Sequence, residues 1–248
     1  MLVFTASIYR QTTKFSQMTL INKTPRPIRS YVLRQGRSSK SQQQARNLYW
    51  PQFGLDLSDY AKPINWEQVF HRQATRVLEI GFGMGDSLIA LANQNPQWDF
   101  IGIEVHPPGV GRCLVQAKLH ELTNLKIFQE DAILVLENVI PDASLDKVLL
   151  YFPDPWPKTK HHKRRIVQSN FVNLVAQKLK QKGNFHLATD WQEYADHMLA
   201  ILEDCPAYEN AFGKANFAPT QYMRPVTKFE TRGKKLGHGI WDLVFTRC

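Results

Sequence analysis

The sequence predicts an α/β fold, a mostly parallel sheet with helices on both faces. Three observations carry that reading. From Trp66 onward, short apolar runs alternate with stretches of helical periodicity. The first apolar run empties into a glycine-rich loop, Gly81-Phe-Gly-Met-Gly85. Acidic residues, Glu79, Glu104 and Asp131, stand at the ends of three successive runs.

Taken in order, residues 76–80 read as the first strand and residues 87–95 as the helix after the glycine loop. Residues 99–104 form the next strand, followed by a helix over 110–122. Third and fourth strands fall at 125–129 and 146–152. Val167, Phe171, Leu174, Val175 and Leu179 recur at helical spacing, which predicts a helix over 166–180 that Gly183 ends. A fifth strand over 184–189, a helix over 191–203 and a last strand near 240–245 complete the pattern. Strand–helix alternation of this kind gives a parallel sheet, with ligands expected beyond the carboxyl ends of its strands. Residues 1–27 read as a disordered extension, 28–65 as a polar, basic segment ending in Tyr49, Trp50 and Phe53, and 66–248 as the folded domain. No internal repeat is visible.

At 248 residues, 43% hydrophobic and 21% charged, the chain can bury a core of its own. No stretch approaches the roughly 20 apolar residues of a membrane span, so no membrane partner is expected. Three separated cysteines give neither a disulfide framework nor a zinc site and suit a reducing compartment, the cytoplasm. His161 and His162 are adjacent and lack further ligands nearby, so no metal is expected.

The formal charge of +9 is localised. The first acid is Asp56, and before it stand Arg10, Lys14, Lys23, Arg26, Arg29, Arg34, Arg37, Lys40 and Arg46. The rest holds 22 basic against 22 acidic residues and is neutral. A basic arm on a neutral body fits a polyanionic partner, since each cation near a phosphate releases a condensed counterion. An acid-free arm also suits organellar import or a solvated tail.

Chemistry concentrates at the predicted strand ends. Gly81, Gly83 and Gly85 let the backbone turn and approach a ligand closely, but Asp86 stands where a dinucleotide fingerprint needs its last glycine. That spacing disfavours a nicotinamide-dependent oxidoreductase. Glu79 suits a positively charged ligand, Glu104 can accept ribose hydroxyls, and Asp131 can receive an adenine amino group or cap the next helix. The same three acids disfavour a non-catalytic RNA-binding module, because they repel phosphate. Tyr151-Phe-Pro-Asp-Pro-Trp-Pro157 is a rigid extended loop presenting Asp154 and Trp156 at the sheet edge. A carboxylate there can accept from guanine N1 and N2 while the indole packs a base face. Lys158, Lys160, His161, His162, Lys163, Arg164 and Arg165 follow, placed for phosphate contact. Asp190 ends the fifth strand, and Arg224-Pro-Val-Thr-Lys-Phe-Glu230 reads as a Pro-interrupted loop.

These segments resemble the bacterial-type tRNA (guanine-N7-)-methyltransferase family. The resemblance rests on Ile28-Arg-Ser-Tyr-Val-Leu-Arg-Gln-Gly-Arg37, Leu78 to Gly85, Gly102-Ile-Glu-Val-His106, Phe152 to Trp156, Lys163-Arg-Arg165, Ala188-Thr-Asp-Trp191, Arg224 to Glu230 and Gly237-His-Gly-Ile-Trp-Asp242. It covers the chain from Ile28 onward. It implies a Rossmann-like class I methyltransferase with S-adenosyl-L-methionine as cofactor, tRNA as partner, and a monomer or homodimer. The cofactor-binding residues it implies are Glu79, Gly81, Gly83, Gly85, Glu104, Asp131 and Asp154, with Asp154 also catalytic. Substrate-binding positions fall on Lys158, Asp190, Thr227, Lys228, Phe229 and Glu230, and RNA contact on Lys160 to Arg165. The implied reaction is in-line methyl transfer to N7 of guanosine 46 in the tRNA variable loop. Pro157 departs from relatives that carry histidine there.

Overall fold

The computed structural model describes residues 29–31 and 39–248. The expected disordered extension over 1–27 lies outside the described residues. Among the described residues, eight strands form one sheet: β1 (Gly54–Leu55), β2 (Thr75–Ile80), β3 (Trp98–Ile103), β4 (Leu125–Phe128), β5 (Leu145–Tyr151), β6 (Leu179–Thr189), β7 (Tyr208–Asn210) and β8 (Trp241–Arg247). Their order is β1-β4-β3-β2-β5-β6-β8-β7. Pairing is parallel from β1 through β6, while β8 runs antiparallel between β6 and β7. The chain leaves β2 for β3 on one side and returns to β5 on the other. The carboxyl ends of β2 and β5 therefore flank the point where strand order reverses.

Among the described residues, eight α-helices accompany the sheet: α1 (Lys40–Phe53), α2 (Trp66–Phe70), α3 (Asp86–Gln94), α4 (Pro107–Leu119), α5 (Ala132–Asn138), α6 (Ser169–Lys178), α7 (Gln192–Glu203) and α8 (Lys228–Lys235). Strand side chains alternate between two cores. Leu78, Ile80, Val148 and Leu150 join Val135, Phe171 and Met198 from α5, α6 and α7. Val77, Phe100, Ile127 and Leu149 join Phe53, Leu88 and Leu114 from α1, α3 and α4. The helices thus cover both faces, as the alternation predicts.

The short β1, α2 and β7 were not read from the sequence, and three further elements depart from it more plainly. The polar segment before residue 60 contains a full helix, α1, opened by a capping box. Ser39 Oγ accepts from Gln42 N at 3.2 Å, and Gln42 Oε1 accepts from Ser39 N at 2.9 Å. Gly111 in α4 lets this helix approach, since a Cβ there would lie 2.9 Å from the Gln42 carbonyl oxygen. Secondly, Gly183 does not end the helix, which stops at Lys178. Gly183 sits inside β6, where the register against β5 shifts and Lys182 adopts φ 63°. Thirdly, the loop read over 224–230 becomes helical at Lys228. Thr227 Oγ1 accepts from Glu230 N at 3.1 Å and so caps α8.

No helix among the described residues is long and apolar enough to cross a membrane.

Candidate active site

The loop from β2 to α3 turns through Gly81, Gly83 and Gly85, all at positive φ (70°, 58° and 82°). A side chain there would strain the backbone, and at Gly85 a Cβ would also lie 2.7 Å from Cys113 Sγ. The loop borders a cleft of about 860 Å³, partly open to solvent, at the switch point of the sheet. Gly81, Gly83, Glu104, Glu130, Asp131 and Asp154 line it, with Leu150, Tyr151, Phe152 and Phe229 supplying its apolar walls. A Cβ at Gly81 would meet no neighbour, so backbone lies bare toward the open cleft.

Each predicted acid has a distinct setting. Glu104 accepts from Gly83 N at 2.7 Å through Oε2, and from Val105 N and His106 N at 2.7 and 2.9 Å through Oε1. Its carboxylate therefore shapes the glycine loop as well as facing the cleft. Asp131 caps α5 by accepting from Ile133 N at 2.9 Å, so the capping role and the cleft position coexist. Glu79 stands apart: it is 3% exposed and is not on the cleft wall. In β2 it alternates with Leu78 and Ile80 and shares the face of Val77, toward α3 and α4. Oε2 has no hydrogen-bond partner. Burial pushes the carboxyl up to about 8; the charge of Glu104 adds to this and nearby Ser87 opposes it.

The fourth predicted acid, Asp154, follows β5 on an exposed loop. Phe152 and Trp156 on either side take positive φ, 53° and 46°, a conformation costing of order 1–3 kcal/mol each for such residues. Surrounding contacts hold it. Phe152 N donates to Ala188 O at 2.7 Å, and Arg165 Nε donates to Pro155 O at 2.9 Å. Asp154 is thereby presented from a backbone fixed on both sides.

The basic run divides by direction. Lys158, Lys160 and Lys163 are exposed, and His161 and His162 are half-buried. The charges of Lys160 and Arg164 add to desolvation in lowering the His161 pKa, desolvation being the larger cause. Arg164 turns back onto the protein, its guanidinium 3.8 Å from the Trp156 ring centroid. Arg165, expected to touch RNA, is 3% exposed; it donates to Glu193 at 3.2 Å and lies over Tyr194. That expectation is corrected: Arg165 braces the loop from inside.

Residues from four separate segments meet beneath the cleft. Tyr151 Oη lies 3.1 Å from His186 Nδ1, and His186 Nε2 lies 3.0 Å from Asp242 Oδ1. Arg224 donates to both oxygens of Asp242 and, through Nη1 at 2.6 Å, to Glu230. Arg224, Glu230 and Asp242 are all buried. Burial pushes the Asp242 carboxyl up, but hydrogen bonds from Arg224 and His186 outweigh it and hold it below its usual value. Burial also lowers the His186 pKa, with Asp242 opposing, which keeps the ring neutral. This network had no counterpart in the sequence reading. Its only local signal was a polar residue, His186, inside the apolar run Phe185 to Ala188.

The network anchors α8. Phe229 stacks on Phe152 with centroids 6.2 Å apart and reaches the cleft while 55% exposed. Lys228 pairs with Asp86 at 3.2 Å. Thr227 and Glu230 are thus spent in this structure on holding the helix. At the other end, Gly233 packs against Asp190. Asp190 lies outside the cleft, on a separate concavity with Trp191, His238 and Trp241. The predicted substrate residues therefore fall in three places: Thr227 to Glu230 at one end of α8, Asp190 at its other end, and Lys158 on the exposed basic run.

Sheet order, glycine loop and acid-lined cleft together define a class I methyltransferase. A family model described as "Putative methyltransferase" matches residues 73–243, and the chain belongs to the tRNA (guanine-N(7)-)-methyltransferase family. It is 54% identical over 222 residues to the protein of that name from Serratia proteamaculans, covering 90% of this chain and 92% of that one. The protein of the same name from Shewanella amazonensis is 53% identical with the same coverage. Among solved structures, the 16S rRNA methyltransferase KamB superposes with a TM-score of 0.54 at 13% identity, covering 76% of this chain and 97% of that one. That likeness establishes the fold alone.

Proposed function

We propose that the chain transfers a methyl group from S-adenosyl-L-methionine to N7 of guanosine 46 in the variable loop of tRNA, in the cytoplasm. The names of the two relatives support the base and the RNA class. One observation carries the site: Asp154 lines the same cleft as Glu104 and Asp131, with three exposed lysines just beyond it.

The residues present fit the cofactor. Glu104 and Asp131 would hold its nucleoside, and the bare backbone at Gly81 and Gly83 leaves room for the rest. When bound, the cofactor supplies an electrophilic methyl group on a positively charged sulfur. Guanine N7 offers a lone pair and no proton, so the chain needs no general base at that atom. Asp154 instead orients guanine through its N1 and N2 donors and offsets positive charge developing on the base. Phe229 and Trp156 offer rings for its faces, while Lys158, Lys160 and Lys163 draw in phosphates. Asp190 and Lys228 complete the substrate side, and Thr227 and Glu230 act by fixing α8.

Nucleoside analysis of tRNA incubated with labelled cofactor tests the reading. The expected product is 7-methylguanosine, absent when guanosine 46 is replaced by adenosine. In single-turnover reactions, Asp154→Ala slows transfer by about 10²–10³, with a smaller loss of cofactor affinity. An orienting carboxylate gives a wild-type rate that is flat from about pH 6 to 9. A rising limb that vanishes in Asp154→Asn would make Asp154 a proton acceptor instead.

A further inference from the structure

A short piece of the basic arm crosses the cofactor cleft. Ser30 and Tyr31 line the cleft together with Asp131 and Asp154. Three hydrogen bonds to its backbone carbonyls tie this piece down, and the Tyr31 hydroxyl also bonds to the Asp131 carboxylate. Trp156 Nε1 donates to Ser30 O at 3.0 Å, Arg164 Nε to Arg29 O at 3.2 Å, and Arg164 Nη2 to Tyr31 O at 3.2 Å. The two donors brace each other, since the Arg164 guanidinium stacks over the Trp156 ring at 3.8 Å. A guanidinium committed to two carbonyls and an indole is poorly placed to meet a phosphate as well. Arg29 lies over the Tyr31 ring at 5.8 Å. Burial raises the Tyr31 pKa, and the facing Asp131 carboxylate raises it further, so its hydroxyl stays a donor at neutral pH.

We propose that Tyr31 is a cofactor-contact residue on the Asp131 side of the cleft, and that Trp156 and Arg164 are positioning residues that hold it there. This rests on the cofactor reading above and assigns Arg164 a task distinct from RNA contact. The root of the basic arm is then fixed at the cofactor site. One short segment joins the surface that gathers RNA to the wall that closes on the methyl donor.

Binding of S-adenosylhomocysteine, measured by calorimetry and by dissociation rate with no RNA present, tests the proposal without reference to turnover. Tyr31→Ala and Arg164→Ala should each weaken binding by about tenfold, an effect of one hydrogen bond's size, chiefly through faster dissociation. Tyr31→Phe and Arg164→Lys should each recover part of the loss. Because Arg164 acts through Tyr31, the double variant should bind no more weakly than Tyr31→Ala alone. Additive losses would overturn the positioning role. Unchanged S-adenosylhomocysteine binding in Arg164→Ala, with a flatter salt dependence of tRNA binding, would return Arg164 to RNA contact and overturn the proposal. A wild-type protein that fails to bind S-adenosylhomocysteine would sink the cofactor reading itself, a separate result.

Discussion

Glu79 carries a carboxyl group whose surroundings oppose its charge. Burial, reinforced by Glu104, moves its pKa from 4.5 to about 8, so the folded protein keeps its proton at neutral pH. The unfolded chain releases that proton near 4.5. Between those values the folded state binds the extra proton. The stability it contributes is full below about pH 4.5 and is lost as pH rises through about 8. Glu79→Gln keeps the shape without the acid. It should therefore raise Tm over wild type at pH 8, by about 2–4 °C per kcal/mol, with the advantage shrinking toward pH 4.5. A difference independent of pH would show that Glu79 ionises normally. The position of Glu79 was legible in the sequence as a strand-end acid, but its environment was not. Strand parity, which turns it away from the cleft, becomes decisive only once the helices on that face are known. Glu104, Asp131 and Asp154 each lie within three residues of a strand end and line the cleft, a placement that strand ends alone announce.

Among the elements, the short 3₁₀ turn over Thr159–Arg164 shows what a charge run conceals. A string of cations contains no mark of which one faces inward, and Arg165 and Arg164 are held by contacts with Glu193, Tyr194 and Trp156. Lys160→Ala and Lys163→Ala should leave the melt unchanged, each reducing the salt slope of tRNA binding by about one. Arg165→Ala should instead lower Tm, since it leaves a strained loop unbraced; the reverse pattern in melts and salt titrations would reassign the residues. Helix α1 was illegible for a different reason. Among its described side chains only Ala45 and Phe53 are buried, too few to make an apolar stripe. Phe53 is nevertheless 1% exposed in the core beside α4. Phe53→Ala should cost about 3–5 kcal/mol, visible as a lower denaturant midpoint, and a truncation to Ser58 should fail to fold cooperatively. A cooperative wild-type-like melt of that truncation would show that α1 and β1 are dispensable. The capping pairs Ser39–Gln42 and Thr227–Glu230 were the sequence signals available for α1 and α8.

Across the whole molecule, β2 to β6 were readable because each is announced by its own apolar run, whereas the two-residue β1 is too short to announce itself. β8 was legible as a last strand, but its antiparallel pairing, the three-residue β7 and the network beneath the cleft were not, because they depend on convergence. Tyr151, His186, Arg224 and Asp242 come from positions up to 91 residues apart, and no local pattern joins them. The insertion of β8 between β6 and β7 also has a consequence for synthesis. β7 and Arg224 are synthesised before β8, which must receive them both. Until Trp241–Arg247 arrives, β7 has no neighbour to pair with and Arg224 lacks the carboxylate of Asp242. A buried guanidinium without that partner is costly, so α8 has no fixed seat on a nascent chain. The sheet and the seat of α8 at the rim of the cleft are therefore completed only by the last strand, Trp241–Arg247.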